Sequence, residues 1–273
     1  LKFGCCGNMN ARGADRVGAD IAGELSSLGY DYIKLPLAGL ARLHGDLFEE
    51  LARRLEGHGL RCEVCNIMFP PSIRLFGGAK DDKLVDAYLE KAFGRARRLG
   101  VQCVVFGIGV SRTVPEGVDK NKAWERLAEL TGHFGDVAES YGITLVIEPL
   151  RREECNTVNS VAEGLRLAQC VDSKNVRLLV DYYHLACEGE SPDVLLKAAD
   201  YIEHVHIAKP EGRVFPVEGD FEEFAPFFDA LRAINYDGRV SVEAYTRDFR
   251  RDAAASLDFR KKHCGIKSGT EVS

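Results

Sequence analysis

The chain has 273 residues, 45% of them hydrophobic, with a formal net charge of -6 at pH 7, and a chain of this length can bury a full core. Its basic residues are scattered instead of clustered, which leaves no electrostatic footprint for a nucleic acid partner, and no apolar run approaches the roughly 20 residues of a membrane span. It opens directly on a strand-like segment with no export signal, and its nine cysteines, an odd number spread through strand-like and helix-like segments, suit a cytoplasmic setting in which they act as small hydrophobes.

From the N-terminus, apolar runs rich in β-branched residues fall at 2–8, 30–36, 61–69, 101–108, 143–149, 176–183, 201–208 and 239–245. Between them lie charged segments such as 84–100 and 123–142, in which apolar residues recur every three or four positions and a glycine closes the run, as helices require. Similar stops stand at Gly29 and Gly59. Eight strand-helix units predict an α/β fold, a single (β/α)8 TIM barrel over residues 1–265, with the polar segment 266–273 as a flexible tail.

Cys62 and Cys65 have the spacing of a redox or zinc half-site, but residues three apart in a regular strand face opposite sides, so two separated buried thiols are expected. Cys5 and Cys6 alternate in the same way. Phe3, Phe69 and Phe106 stand at or near strand ends, where packing is the ordinary role of a barrel aromatic. The long polar stretch SRTVPEGVDK, followed by Trp124, can help to cover a substrate. His44, His58 and His133 fall on or near helical segments and read as solvated.

Four later runs carry a charged or imidazole residue where another Val or Ile is expected: Glu148 in ITLVIEPL, Asp181 in VRLLVDYYH, His206 in YIEHVHIAK and Glu243 in RVSVEAY. An unpaired charge is costly inside a core, yet each of the four closes its strand at the carboxyl end, where such barrels build active sites. One shared divalent ion accounts for all of them. Three carboxylates and an imidazole favour Mn²⁺, with Mg²⁺ or Co²⁺ as alternatives, over a thiolate zinc site. Such an ion polarises a carbonyl and supports proton loss from the neighbouring carbon. Glu148 and Glu243 can each coordinate through one oxygen and exchange a proton through the other. His204 shares a strand face with His206 and belongs one layer below it, as hydrogen-bonded support.

The segments IEPLRREECNTVNSVAEGL (147–165), LLVDYYHL (178–185), HVHIAKPEGR (204–213) and VSVEAY (240–245) resemble the sugar phosphate isomerase/epimerase superfamily with its xylose isomerase-like barrels, and within it the ketose 3-epimerases of the tagatose and psicose type. The resemblance covers essentially the whole chain. It implies Glu148, Asp181, His206 and Glu243 as metal ligands, with Glu148 and Glu243 doubling as the acid/base pair. It implies His184 and Arg213 as substrate-binding residues, and Glu154 as a substrate contact or a support for Glu148. The activity implied is divalent-metal-dependent inversion of a ketose at C3 by two-glutamate proton exchange through a metal-stabilised enediolate.

Arg213 follows His206 by seven residues, a spacing that looks closer to hydroxypyruvate isomerases and keeps an aldose-ketose or hydroxypyruvate-type isomerase as the alternative. Those isomerases usually carry glutamine where this chain has His206. Lys209, on the same loop as Arg213, can join it in holding a carboxylate or phosphate, or stand solvated. An endonuclease of the superfamily needs histidine and acid ligands for three zinc ions, which the seven histidines here do not supply. The contrasting class is a barrel that binds a sugar or a partner without catalysis, but every expected acid/base residue is in place. The expected partner is a small sugar or keto acid, with room for a homo-oligomer.

Overall fold

The computed structural model describes residues 1–14, 16–77 and 82–264, so the tail expected at 266–273 lies outside the described residues. Eight strands, β1 (Lys2–Cys6), β2 (Tyr32–Pro36), β3 (Arg61–Asn66), β4 (Cys103–Phe106), β5 (Thr144–Ile147), β6 (Val176–Asp181), β7 (Ile202–Ile207) and β8 (Arg239–Val242), close into a barrel in sequence order. All neighbours are parallel, including β1 with β8. Each strand falls within one of the eight expected runs.

The connections hold α1 (Ala22–Leu28), α2 (Leu37–Arg42), α3 (Gly45–Gly57), α4 (Asp82–Leu99), α5 (Gly109–Arg112), α6 (Lys120–Ser140), α7 (Val161–Val171), α8 (Tyr182–Cys187), α9 (Val194–Ala198), α10 (Phe221–Ala233) and α11 (Phe249–His263). Three of these, α2, α5 and α8, are short extra turns directly after or near the ends of β2, β4 and β6. The long α6 shows why the sequence is legible here. Asp119 accepts from the Asn121 and Lys122 N–H groups at 3.0 and 2.9 Å, satisfying donors the first turn leaves free. Leu127, Leu130, Phe134 and Ala138 form its buried stripe, and Gly142, at φ 70°, turns the chain away. Among the described residues, no helix is long and apolar enough to cross a membrane.

Strand periodicity builds the interior in layers. The inward positions Gly4, Tyr32, His204 and Ser241 share one level: a side chain on Gly4 would meet the Tyr32 ring at 2.2 Å, Tyr32 Oη lies 2.9 Å from Ser241 Oγ, and Ser241 Oγ lies 3.2 Å from His204 Nε2. Two residues further along each strand stand Cys6, Lys34, His206 and Glu243, facing the same way.

One expectation fails. The β2–β3 register shifts between Ile33 and Lys34, which pair with Cys62 and Val64, so Glu63 is an extra residue in β3. This bulge turns Cys62 and Cys65 to the same side, with their sulfurs 4.0 Å apart. Both are buried, and burial pushes the Cys65 thiol well above its ordinary range, which makes it unreactive.

The aromatic residues pack. Phe69, Phe106 and Phe134 meet at centroid distances of 5.1–6.4 Å, and Phe3 lies under the Arg260 guanidinium. Trp124 sits in α6 with Arg166 stacked 4.0 Å over its ring. His44, His58 and His133 are exposed.

Candidate metal centre

Glu148 follows β5 directly, Asp181 ends β6, His206 is the penultimate residue of β7, and Glu243 follows β8 directly. All four are buried, and one candidate ligand atom from each lies within 4.8 Å of the others. His206 Nδ1 faces all three carboxylates, at 3.0 Å from Glu148 Oε1, 3.4 Å from Glu243 Oε2 and 3.7 Å from Asp181 Oδ2.

Local structure fixes each member. Glu148 fits because residue 107 is glycine, since a side chain there would come within 1.7 Å of Glu148 Oε2. The fully buried Arg112 donates to the Phe106 and Glu148 carbonyls, both at 2.9 Å, and so ties the ends of β4 and β5 together. Asp181 caps α8, accepting from the Tyr183 N–H through Oδ1 at 2.9 Å. Its Oδ2 is buried without a hydrogen bond, and the nearest cationic atoms are Arg213 at 3.6 Å, His206 at 3.7 Å and His184 at 3.8 Å.

The other expected residues gather around this cluster. His184 accepts from the Arg151 N–H through Nδ1 at 3.2 Å, which leaves a hydrogen for Nε2, the atom facing Asp181. Arg213 donates to Glu243 Oε2 at 2.7 Å, lies 3.8 Å from Glu154 and covers the Tyr183 ring at 4.5 Å. Arg213 and Gly212 both take left-handed backbone, at φ 49° and 76°, and Tyr245 N–H bonds the Arg213 carbonyl at 2.8 Å. A non-glycine residue held there is strained. Glu154 accepts from Arg151 Nε at 2.9 Å. Lys209 pairs with Asp220 at 2.7 Å.

A lysine that sequence reading passed over stands at the centre. Lys34 is fully buried, with Nζ 2.7 Å from His206 Nε2 and 2.8 Å from Glu243 Oε1. Burial opposes its charge, but Glu243, Cys6 and Glu148 outweigh burial and hold the ammonium above the ordinary lysine range. The carboxylates favour a charged imidazole on His206 as well. Only one hydrogen fits between Nζ and Nε2, and the ammonium, which also has Glu243, keeps it. The signal was present: a lysine inside the apolar run YIKLP is as anomalous as the four acids and imidazole. Asn66 was missed too, and it donates to Glu243 Oε1 at 2.9 Å.

The two glutamates are therefore unequal. Glu243 Oε1 takes Lys34, Asn66 and the Cys6 thiol, and its Oε2 takes Arg213. Burial opposes its charge, but Lys34, His206 and Arg213 hold its carboxyl well below the usual range. Among the described residues, the Glu148 carboxylate has one side-chain hydrogen bond, with His206. Asp181 is likewise held low, burial being outweighed by His206, His184 and Arg213. Below them His204, kept neutral chiefly by burial, rests edge-on to His206. Three carboxylates, one of them with an orphaned buried oxygen, and one imidazole nitrogen form a hard, oxygen-rich set that fits a divalent ion.

Residues 22–263 match the family model described as xylose isomerase-like TIM barrel. The chain is 26% identical over 239 residues to D-psicose 3-epimerase of Ruminiclostridium cellulolyticum, covering 82% of this chain and 77% of that protein. It is 29% identical over 250 residues to L-ribulose 3-epimerase of a Methylomonas species, covering 89% and 82%. The crystal structure of D-psicose 3-epimerase with D-tagatose from Clostridium cellulolyticum H10 superimposes with a TM-score of 0.82 at 23% identity, covering 97% of this chain and 99% of that one.

Proposed function

The chain belongs to the xylose isomerase-like TIM barrel family, and from that premise we propose that it is a divalent-metal-dependent ketose 3-epimerase. The observation that carries this reading is the pair of carboxylates, Glu148 and Glu243, reaching one buried imidazole from strands separated by two others. The similarity to epimerases of psicose and ribulose supports it.

Glu148, Asp181, His206 and Glu243 hold the ion, with Mn²⁺ the best match to the donors. When bound, the ion supplies Lewis acidity to the substrate's carbonyl and adjoining hydroxyl oxygens. The chain's own residues then move the proton. Glu148, with the fewer contacts, takes the C3 proton at its unshared oxygen. Glu243, with Arg213 beside it, serves the opposite face. His184 and Arg213 orient the sugar oxygens, and Glu154 sets Arg213. The small-molecule substrate and the family chemistry suit the cytoplasm.

The test is turnover of D-psicose, D-tagatose and L-ribulose with Mn²⁺ in D₂O. Solvent deuterium at C3 of an epimerised product is expected. Deuterium confined to the carbon next to a migrated carbonyl would instead establish an aldose-ketose isomerase, which the Arg213 spacing keeps as the second reading. Ligand-dependent thermal stabilisation without turnover would mark a non-catalytic sugar-binding barrel.

A further inference from the structure

Lys34 remains unexplained by that chemistry. Among the described residues it is the one lysine without exposure, and it points into the acidic cluster from β2, a strand that supplies no ligand. Its ammonium contacts two of the four candidate ligands, His206 Nε2 at 2.7 Å and Glu243 Oε1 at 2.8 Å.

The contact with His206 cannot coexist with an ion on the other nitrogen. His206 Nδ1 is the atom facing the three carboxylates, so an ion held among them takes the Nδ1 lone pair and leaves the imidazole hydrogen on Nε2. Nε2 then no longer accepts from Lys34, and two donors face one another. A second conflict is electrostatic, because a fixed positive charge within hydrogen-bond reach of Glu243 repels a divalent cation that shares this carboxylate.

We infer that Lys34 is an internal counter-ion that competes with the divalent ion for this cluster, holding Glu243 and His206 in place when the site is free of metal and weakening the ion's binding. It is a positioning residue and makes no contact with substrate in this scheme. The benefit is a buried Glu243 whose charge is compensated before metal arrives, since removing one member of a buried ion pair leaves the other charge uncompensated. This inference rests on the reading of the cluster as a metal centre.

The experiment is Mn²⁺ titration calorimetry on the full chain stripped of metal, comparing wild type with Lys34→Met and Lys34→Gln. Methionine keeps the unbranched shape without charge, and glutamine keeps a donor for Glu243 without charge. Both variants should bind Mn²⁺ about tenfold or more tightly than wild type. Both should melt below wild type when metal-free and recover when loaded, so that the metal-induced rise in Tm grows. Equal or weaker Mn²⁺ affinity in both variants would overturn the inference, and so would tightening in Lys34→Met alone, because glutamine also removes the charge. Should a stripped variant fail to fold, the same ranking is read on protein purified with Mn²⁺, from the chelator concentration that removes half of the ion. A wild type that binds no divalent ion would overturn the metal reading itself, a result distinct from unchanged affinity in the variants.

Discussion

The same barrel carries a charged cluster at each end, and the two are built differently. At the amino end, Glu63 accepts from Lys2 at 2.8 and 3.1 Å and from Arg239 Nε at 2.7 Å, and Arg239 also bonds Gln102. Both Glu63 oxygens have partners. At the carboxyl end, three buried carboxylates face Lys34, Arg213 and His206, and Asp181 Oδ2 has no hydrogen bond at all. The lower cluster uses its charges on one another, while the upper one keeps an acceptor in reserve. That difference separates polar residues that stabilise a barrel from those that work in it, and it matches the division of labour between the two faces of this fold.

The sharpest way to break the comparison is to remove an acid from the carboxyl end. Glu148→Gln and Glu243→Gln should each lower kcat at least about 100-fold, since a positioned general base contributes roughly 10²–10⁴-fold, while circular dichroism shows a folded barrel. Retention of more than about a tenth of wild-type activity in either variant would end the two-base scheme. Excess Mn²⁺ should restore neither variant, but it should restore part of the activity of Asp181→Asn, whose loss lies in ion binding.

Gly107→Ala tests the upper cluster without touching a charge. The new methyl would sit 1.7 Å from Glu148 Oε2, so the carboxylate must move, and a misplaced catalytic group of this kind costs up to about 100-fold. A loss in kcat of about tenfold or more is expected. Wild-type kinetics would mean that Glu148 works from another rotamer.

The residues that made the upper cluster readable from sequence were those that broke a pattern. Glu148, Asp181, His206 and Glu243 each replaced an aliphatic at the end of an apolar run, and the runs themselves marked the eight strands. His204 followed from period two. Lys34 carried the same kind of signal inside YIKLP, but a charge in the middle of a run is easily counted as part of it. Nothing in RCEVCNIMF announces the bulge at Glu63, because the extra residue is set by pairing with β2, and so the meeting of Cys62 and Cys65 was invisible. Arg112 and Gly107 act through partners in other βα units, Glu148 foremost, and no local spacing encodes such contacts.

At the amino end, Glu63→Gln should cost roughly 1–3 kcal/mol of stability, the penalty for a buried donor left without its partner, with kcat close to wild type. The Lys2 side chain is half exposed and contributes little of this. Burial raises the Glu63 pKa, but Lys2 and Arg239 together hold it below the usual carboxylate range. The sign follows: a carboxyl with a lowered folded-state pKa contributes stability that is present above about pH 4.5 and fades as the pH falls through the folded value. Denaturation midpoints of wild type and Glu63→Gln should therefore converge once the pH has fallen below that folded value. Midpoints that stay apart there would assign the effect to packing.

The smallest expected effect concerns Lys209 and decides what the loop after β7 recognises. An ammonium that binds a substrate phosphate supplies a charge-assisted hydrogen bond worth roughly 1.5–3 kcal/mol, or at least about tenfold in KM. Lys209 instead pairs with Asp220 at 2.7 Å, and its N–H bonds the Val214 carbonyl at 2.9 Å within the same loop. Arg213, the other cation of that loop, already holds Glu243. Neither cation is left over for an anionic substrate, which favours a neutral ketose. Lys209→Met should then change KM for a free ketose and for its phosphate by less than about threefold, far below a lost charge-assisted bond, whereas Arg213→Ala should impair both substrates alike. A tenfold rise in KM confined to the phosphate in Lys209→Met would show that Lys209 leaves Asp220 for the substrate, and would move the substrate class to sugar phosphates.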